Sequence, residues 1–469
     1  MSQAPTPWAL TLTLMIGTIA AVMGASTVNT ALPAIIDGLG LPLDQASWVA
    51  TAYMLANVVA IPSAAWLGRL LSPRVLFGAG VAGFLGGSIL CGLAWDFSSM
   101  IAFRIVQGLA AGLIMPTAQA MLFEAFPAEK RGFAMGVYGL GALMGPSIGP
   151  TVGGWLVTIL GWRSVFFINL PFAIASLLML GALPRAARGR DLVFDAPGFA
   201  WMAVFLTSLQ LAVANGAHLG WGSPWILGAL VLSGVSLALL LRRELTTAHP
   251  LLDLRVFRHV TYNVATVISM IIGLGLFGTT FLLPLFLGNL LGYSALQIGL
   301  VMLPGSLAMG VMMLVSGRLS DGLDSRVLLA VGLLIFSAGL YQQTLADASA
   351  SAGFHAWANF WRGLGMGMVF SPLSAVAIGG VPPGMMAQAT GLFNLTRQLA
   401  GAIGIAAFNT LLSTRVGFHA TIGEHAVASQ AAIAAYADVF WVCLLIGLVG
   451  LVPIALLKRP APRPLRESR

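Results

Sequence analysis

Polar and charged residues in this chain gather into short clusters, and between them run apolar stretches long enough to cross the roughly 30 Å hydrocarbon layer of a bilayer. Fourteen such stretches are predicted, over 9–32, 47–68, 75–94, 98–123, 132–160, 164–184, 197–213, 225–241, 263–288, 295–317, 327–345, 357–380, 386–411 and 436–457. Lipid offers no partner for a free backbone N–H or C=O, so runs of this length read as helices that bond their own backbone. The pattern predicts an all-α polytopic membrane protein. The leading segment MSQAPTPW has no basic residue, so no cleaved signal is expected.

Composition agrees, with 58% hydrophobic residues, 8% charged residues and a mean hydropathy of +0.93, far from the soluble globular range. An even number of spans puts both termini on one side, and the basic residues choose which. Arg69, Arg74, Lys130, Arg131, Arg185, Arg188, Arg190, Arg242, Arg243, Arg255, Arg258, Arg318 and Arg326 fall in alternate loops, with Lys458, Arg459, Arg463, Arg466 and Arg469 in the tail. Only Arg163 and Arg415 fall on the other face. Basic residues in short loops stay in the cytoplasm, so both termini are predicted there. Topology thus accounts for the net charge of +8, and no nucleic-acid partner is expected. Cys91 and Cys443 both lie in apolar stretches, which leaves no disulfide framework and no cysteine metal site; no metal or cofactor is expected.

Three segment pairs repeat at nearly equal offsets. PRVLF around Arg74 matches SRVLL around Arg326, GLAAGLIMP ending at Pro116 matches GMGMVFSP ending at Pro372, and GVYGLGALMGPSIG from Gly136 matches GLFNLTRQLAGAIG from Gly391. Together they predict a duplicated bundle: an N-terminal six-helix unit over 1–190, a two-helix insert over 191–258, a C-terminal six-helix unit over 259–457 and a basic cytoplasmic tail over 458–469.

Within the fifth stretch, GALMGPSIGPTVGGWL over 141–156 carries Gly141, Gly145, Gly149 and Gly153 at four-residue spacing, together with Pro146, Pro150 and Gly154. Four-residue spacing lines one helix face with small residues, where another backbone can approach closely. Two readings stand: a bendable seal between rocking halves, or ordinary small-residue packing.

The chain resembles the major facilitator superfamily, and within it the fourteen-span drug:proton antiporters of the EmrB/QacA type. The resemblance rests on VNTALPAI at 28–35, FRIVQGLAAGLIMP at 103–116, GPSIGPTVGGWL at 145–156, WRSVFFINLPF at 162–172, PLLDLRVF at 250–257 and NLTRQLAGAIG at 394–404. It implies the major facilitator fold with fourteen transmembrane helices arranged six, two and six. It makes the glycine-proline stretch the family's antiporter motif and hinge, and Arg104 its buried arginine of proton coupling; the alternative for Arg104 is a packing clamp. In the cytoplasmic loop motif, SGRLSDGLDSR keeps Gly317, Arg318, Asp321 and Arg326 for a charged latch, whereas the first copy has Ser72 in the acidic position.

One departure bears on substrate. Where the family carries an aspartate in its first span, this chain has Gly24, and no acidic residue falls near the middle of any predicted stretch. The histidines are all placed outside the stretches, His355 in an external loop. A cavity with Arg104, Arg362 and Arg397 but no carboxylate favours acidic or neutral lipophilic substrates, although each arginine also reads as a clamp. Proton coupling falls to Asp438 near the outer end of the last span, to Glu124 at the inner end of the fourth, or to the substrate itself. Polar residues within spans supply the remaining cavity candidates: Asn29, Tyr53, Asn57, Gln107, Gln119, Tyr138, Asn263 and Asn394.

The expected activity is therefore export of lipophilic drugs or toxic amphipaths by proton antiport from a bacterial cytoplasmic (inner) membrane. A dedicated metabolite or fatty-acid exporter or facilitator, and a receptor or scaffold without transport, are the alternatives. An enzyme is not expected, since histidines and carboxylates lie near the surfaces. Expected partners are a small lipophilic substrate, protons and the lipid bilayer. The resemblance adds a periplasmic adaptor and an outer-membrane channel.

Overall fold

The computed structural model describes residues 7–40, 43–127, 130–184, 195–247, 250–320, 322–347, 349–422 and 428–457, and is helical with no strand among them. The first half contains α1 (Pro7–Leu39), α2 (Leu43–Ala60), α3 (Ser63–Leu71), α4 (Pro73–Gly92), α5 (Phe97–Ala125), α6 (Arg131–Leu160), α7 (Ser164–Phe167) and α8 (Asn169–Leu178). Then come α9 (Ala196–Leu219) and α10 (Pro224–Thr246). The second half contains α11 (Val260–Leu285), α12 (Ala295–Ser320), α13 (Ser325–Thr344), α14 (Ala352–Gly379), α15 (Met386–Ile422), α16 (Ala428–Val449) and α17 (Leu451–Ala455).

Every predicted stretch falls on one of these helices or on a consecutive pair. Among the described residues eleven helical segments are long and apolar enough to cross a bilayer, and α2 with α3, bent by 60°, makes a twelfth. Pro62, which has no N–H to continue the ladder, stands at that bend. The basic tail and Asp321 lie outside the described residues. Acids mark several helix starts: Asp96 accepts from Ser99 N, Asp195 from Gly198 N and Asp324 from Arg326 N. The Ser99 bonds hold the exposed Asp96 carboxyl below the usual carboxylate range.

The two halves repeat one packing scheme. In the first, α1 packs on α6 and α5 packs on both α2 and α4; in the second, α11 packs on α15 and α14 packs on both α12 and α13. The same small residues serve both. Gly108 and Gly112 of α5 lie against the carbonyl oxygens of Tyr53 and Asn57 on α2, while Gly363 and Gly367 of α14 lie against those of Gly305 and Met309 on α12. A Cβ at any of these four would collide with backbone.

A polar knot ties three helices of the first half. Arg104 of α5 is 1% exposed. Its Nε donates to Val49 O on α2 at 2.9 Å and its Nη1 to Gln107 Oε1 at 2.6 Å, while Gln107 Nε2 donates to Ser88 Oγ on α4 at 2.7 Å. The guanidinium also stacks on Tyr53, 4.3 Å from the ring centroid. Three-residue spacing puts Arg104 and Gln107 on one face.

Between the halves, contact concentrates where the α5–α6 and α12–α13 connections lie, here called the basic end. Gly317 of α12 meets Gly132 O, Gly136 of α6 meets Met313 O, Ser371 Oγ donates to Gly132 O at 2.7 Å, and Arg318 lies over Phe133 at 4.5 Å. Deeper in, Asn394 Nδ2 donates to Gln119 Oε1 at 2.6 Å. These two hydrogen bonds join the halves directly.

Arg104→Ala should orphan Val49 O and Gln107 Oε1, costing about 1–3 kcal/mol, and lower the unfolding temperature in detergent. Arg104→Lys, which lacks the planar fork, should fall between the two. Gly136→Val should push α6 off the Met313 carbonyl and open the basic end. Spin labels at exposed Glu124 and Leu323 should then show a longer distance population than in the parent protein.

Candidate functional site

Away from the basic-end seal the halves enclose a cavity of about 670 Å³. Its wall is mostly apolar and rich in flexible side chains, with Met54, Met115, Met302, Met309 and Met366 among Phe277, Phe281 and Phe370. The polar groups are few. Thr18 comes from α1, Tyr53 and Asn57 from α2, Gln210 from α9, Thr280 from α11, Ser306 from α12, Asn359 and Arg362 from α14, and Asn394, Arg397, Gln398 and Asn409 from α15.

Two guanidinium groups therefore face one cavity. Arg362 donates from Nη2 to Thr279 Oγ1 at 2.6 Å and from Nη1 to Asn359 Oδ1 at 3.3 Å, while its buried Nε has no partner. Arg397 donates from Nη2 to Asn394 Oδ1 at 2.6 Å and lies over Phe370 at 4.4 Å. Each takes an amide three residues earlier on its own helix, as Arg104 takes one three residues later. An amide orients a guanidinium without cancelling its charge. Among the described residues no carboxylate pairs with Arg362 or Arg397, and no acidic residue lines the cavity. Apolar walls leave that positive potential weakly screened.

Of the sequence candidates, Tyr53, Asn57, Asn394 and Arg397 share the cavity wall. Arg104 and Gln107 lie behind it, and the Tyr53 ring comes between the guanidinium and the cavity. The Tyr53 hydroxyl is spent on Ala21 O at 3.0 Å. Gln119 backs the wall through Asn394, and Tyr138 through a 3.0 Å hydroxyl contact with Thr18, itself a wall residue. Asn263 is elsewhere, in the first turn of α11 with its amide on Phe257 O at 2.6 Å. The side chain of Asn29 lies outside the described residues.

Asp438 accepts from His419 Nε2 at 2.9 Å and lies 3.6 Å from Arg415 Nη1, which ties α15 to α16 at the end opposite the seal. Glu124 is exposed at the basic end of α5. Neither lines the cavity.

The glycine-proline segment, with Gly145, Pro146, Pro150, Gly153 and Gly154, runs as part of one helix, α6. Gly141 and Gly149 of the stripe face Met15 and Ser26 of α1 in the same half, whereas Gly136 and Gly139, one turn nearer the basic end, face α12. Of the latch residues, Gly317 and Arg318 cross to the other half, and Arg326 opens α13 beneath the Asp324 cap. Asp321 is outside the described residues.

Arg362, one of the cavity arginines read from the sequence, lines the wall as well; Gln210 and Asn409 also line it, and the sequence had not placed those two there. Gln210 and Asn409 were visible as polar residues inside apolar stretches; nothing in the sequence placed α9 beside the cavity. His355, expected in an external loop, lies instead in the first turn of α14, fully buried and 2.9 Å through Nδ1 from Gln343 Nε2. The helix starts earlier than the apolar run because Ser351 caps it.

The family model described as Major Facilitator Superfamily matches residues 14–405. The chain is 30% identical over 417 residues to the Multidrug export protein EmrB of Escherichia coli (strain K12), covering 87% of this chain and 81% of that one. It is 31% identical over 420 residues to the Fatty acid resistance protein FarB of Neisseria gonorrhoeae, covering 89% and 83%. The human organic anion transporter MFSD10 (TETRAN) shares the fold with a TM-score of 0.66 at 14% identity, over 94% of this chain and 100% of that chain. A duplicated helical bundle around a central cavity, matched over most of its length, makes this chain a multi-pass membrane transporter that belongs to the Major Facilitator Superfamily.

Proposed function

We propose that this protein exports lipophilic amphipathic compounds, preferring anionic and neutral ones, across the cytoplasmic membrane of a bacterium by alternating access. One observation carries the substrate preference: Arg362 and Arg397 face an apolar cavity in which, among the described residues, no carboxylate balances them. A lipophilic cation entering would meet like charge. A carboxylate or phenolate would form charge-assisted bonds to either guanidinium while its apolar part lies along Met54, Met309 and Phe277. The likeness to a multidrug export protein and to a fatty acid resistance protein supports the direction of transport and this amphipathic chemistry. A long-chain fatty acid fits the same description, and a dedicated fatty-acid exporter is the second reading.

Fourteen spans in a six, two, six order with both termini cytoplasmic remain part of the proposal, supported by the distribution of basic residues. So do the boundaries near 190 and 258. Sealing at the basic end, with a cavity beyond it, suits the outward-facing member of an alternating pair. For proton antiport the chain offers Asp438 beside His419, exposed Glu124, Arg104 acting on the cavity through Tyr53, or an acidic substrate that carries its own proton. The adaptor and outer-membrane channel rest on the resemblance alone.

An efflux-deficient bacterial host expressing the protein should survive several-fold higher doses of lipophilic weak acids, with little gain against matched lipophilic cations. Arg397→Gln, at normal membrane levels, should cut the protection against acids about tenfold, equivalent to about 1.4 kcal/mol, and affect neutral compounds less. Strong protection against cations that is indifferent to Arg362→Gln and Arg397→Gln would overturn the proposal.

A further inference from the structure

The duplicated scheme predicts two equivalent seams between the halves: α6 against α12, and its counterpart, α15 against α2. They are not closed in the same way. At the first, α6 and α12 pack directly, with Gly136 against Met313 O and Gly139 against the Met313 side chain. At the second, α15 meets α3 and α5, while α9 packs on both α2 and α15. The α9 helix is fastened there by Trp221, whose indole donates to Thr410 Oγ1 of α15 at 2.8 Å and whose ring covers Gly216 of α9.

In that position α9 contributes wall to the cavity through Gln210, Val213 and Ala214. Gln210 places a primary amide from the inserted pair in this wall: among the described residues its side chain makes no hydrogen bond to protein, and it lines the same space as Arg397. A primary amide in an apolar wall costs free energy unless something bonds to it. Asn57 of α2 and Gln398 of α15, on the two helices that α9 joins, also leave their side-chain amides unpartnered in the same wall. The outer helix of the inserted pair, α10, differs. It packs on α9, and Trp225, Val231, Val235 and Leu245 stay exposed on it, as for a lipid-facing helix.

We infer that the inserted pair is part of the substrate site: α9 closes the seam between α2 and α15, and Gln210 is a specificity-determining residue that bonds a polar group of the transported compound. Its place beside a cationic cavity adds a neutral donor and acceptor to the arginines, which suits acidic amphipaths carrying a hydroxyl or amide. The substrate part of this inference rests on the exporter reading above. The placement of Gln210 does not.

Two measurements keep these separable. Cys91 and Cys443 are fully buried, so the parent chain should react little with a charged, membrane-impermeant methanethiosulfonate. In intact protein reconstituted in nanodiscs, Gln210→Cys should label at least tenfold faster than Val231→Cys on α10, and a saturating lipophilic weak acid should slow it several-fold. If Gln210→Cys labels no faster than Val231→Cys, α9 does not line the cavity and the inference falls, whatever the protein transports. In the host survival panel, Gln210→Leu should lower protection several-fold for hydroxylated or amidated acids and leave their unsubstituted parents unchanged. Gln210→Glu should lower protection against all acids. An unaltered profile in both variants, at parental membrane levels, would overturn the specificity role. A parent protein that protects against nothing would sink the exporter reading and leave the labelling result standing.

Discussion

Hydrocarbon cannot hydrogen bond, and most of this structure follows from that constraint. Each backbone group must be bonded within its own helix, which makes the chain helical, and each buried side-chain donor must find a protein partner or a cavity. The three intramembrane arginines show how the demand is met without acids. Arg104 bonds to a carbonyl and to Gln107, Arg362 to Thr279 and Asn359, and Arg397 to Asn394. Neutral partners hold the guanidinium groups in place and leave their charge intact. At Arg104 the charge is buried behind Tyr53, where it fastens helices; at Arg362 and Arg397 it faces the cavity, where it can act on a ligand.

Duplication supplies the cavity, and departure from duplication shapes it. Two halves with the same internal packing meet through small residues at one end, where Gly132, Gly136 and Gly317 let backbones touch. Small residues let these backbones approach closely, which closes the cavity at that end. The inserted pair breaks the pseudo-symmetry by occupying one seam and not its counterpart. A transporter built this way has an asymmetric wall, with both cavity arginines on α14 and α15 and a further amide, Gln210, supplied by α9.

Much of the fold was legible in the sequence. The apolar runs located the helices, since a span of given thickness demands a minimum apolar length, and the three offset matches pointed to an internal repeat without saying which helices pack together. The site was legible in part. Tyr53, Asn57, Asn394 and Arg397 could be picked as polar residues inside apolar runs, and they do line the cavity. Gln107, Gln119 and Tyr138 met the same criterion and serve instead as backing for wall residues or for Arg104. Asn263 met it too and satisfies a local carbonyl. A polar residue in a span must be bonded, but the sequence does not say to what.

What the sequence determined by itself is the material: a lipid-embedded helical chain, internally repeated, with most of its basic residues in one set of loops and no acid near the middle of an apolar stretch. These properties are local or additive, set by hydropathy and charge along the chain. Tertiary structure alone decided which arginines face a cavity and which are clamps, that Gly141 and Gly149 of α6 pack within their half while Gly136 and Gly139 meet the other half, and that α9 joins the wall. Each of these depends on how helices are rotated and which helix stands next to which, a matter of contacts between residues distant in sequence. A helix of nearly uniform apolarity does not announce which face it will turn toward protein.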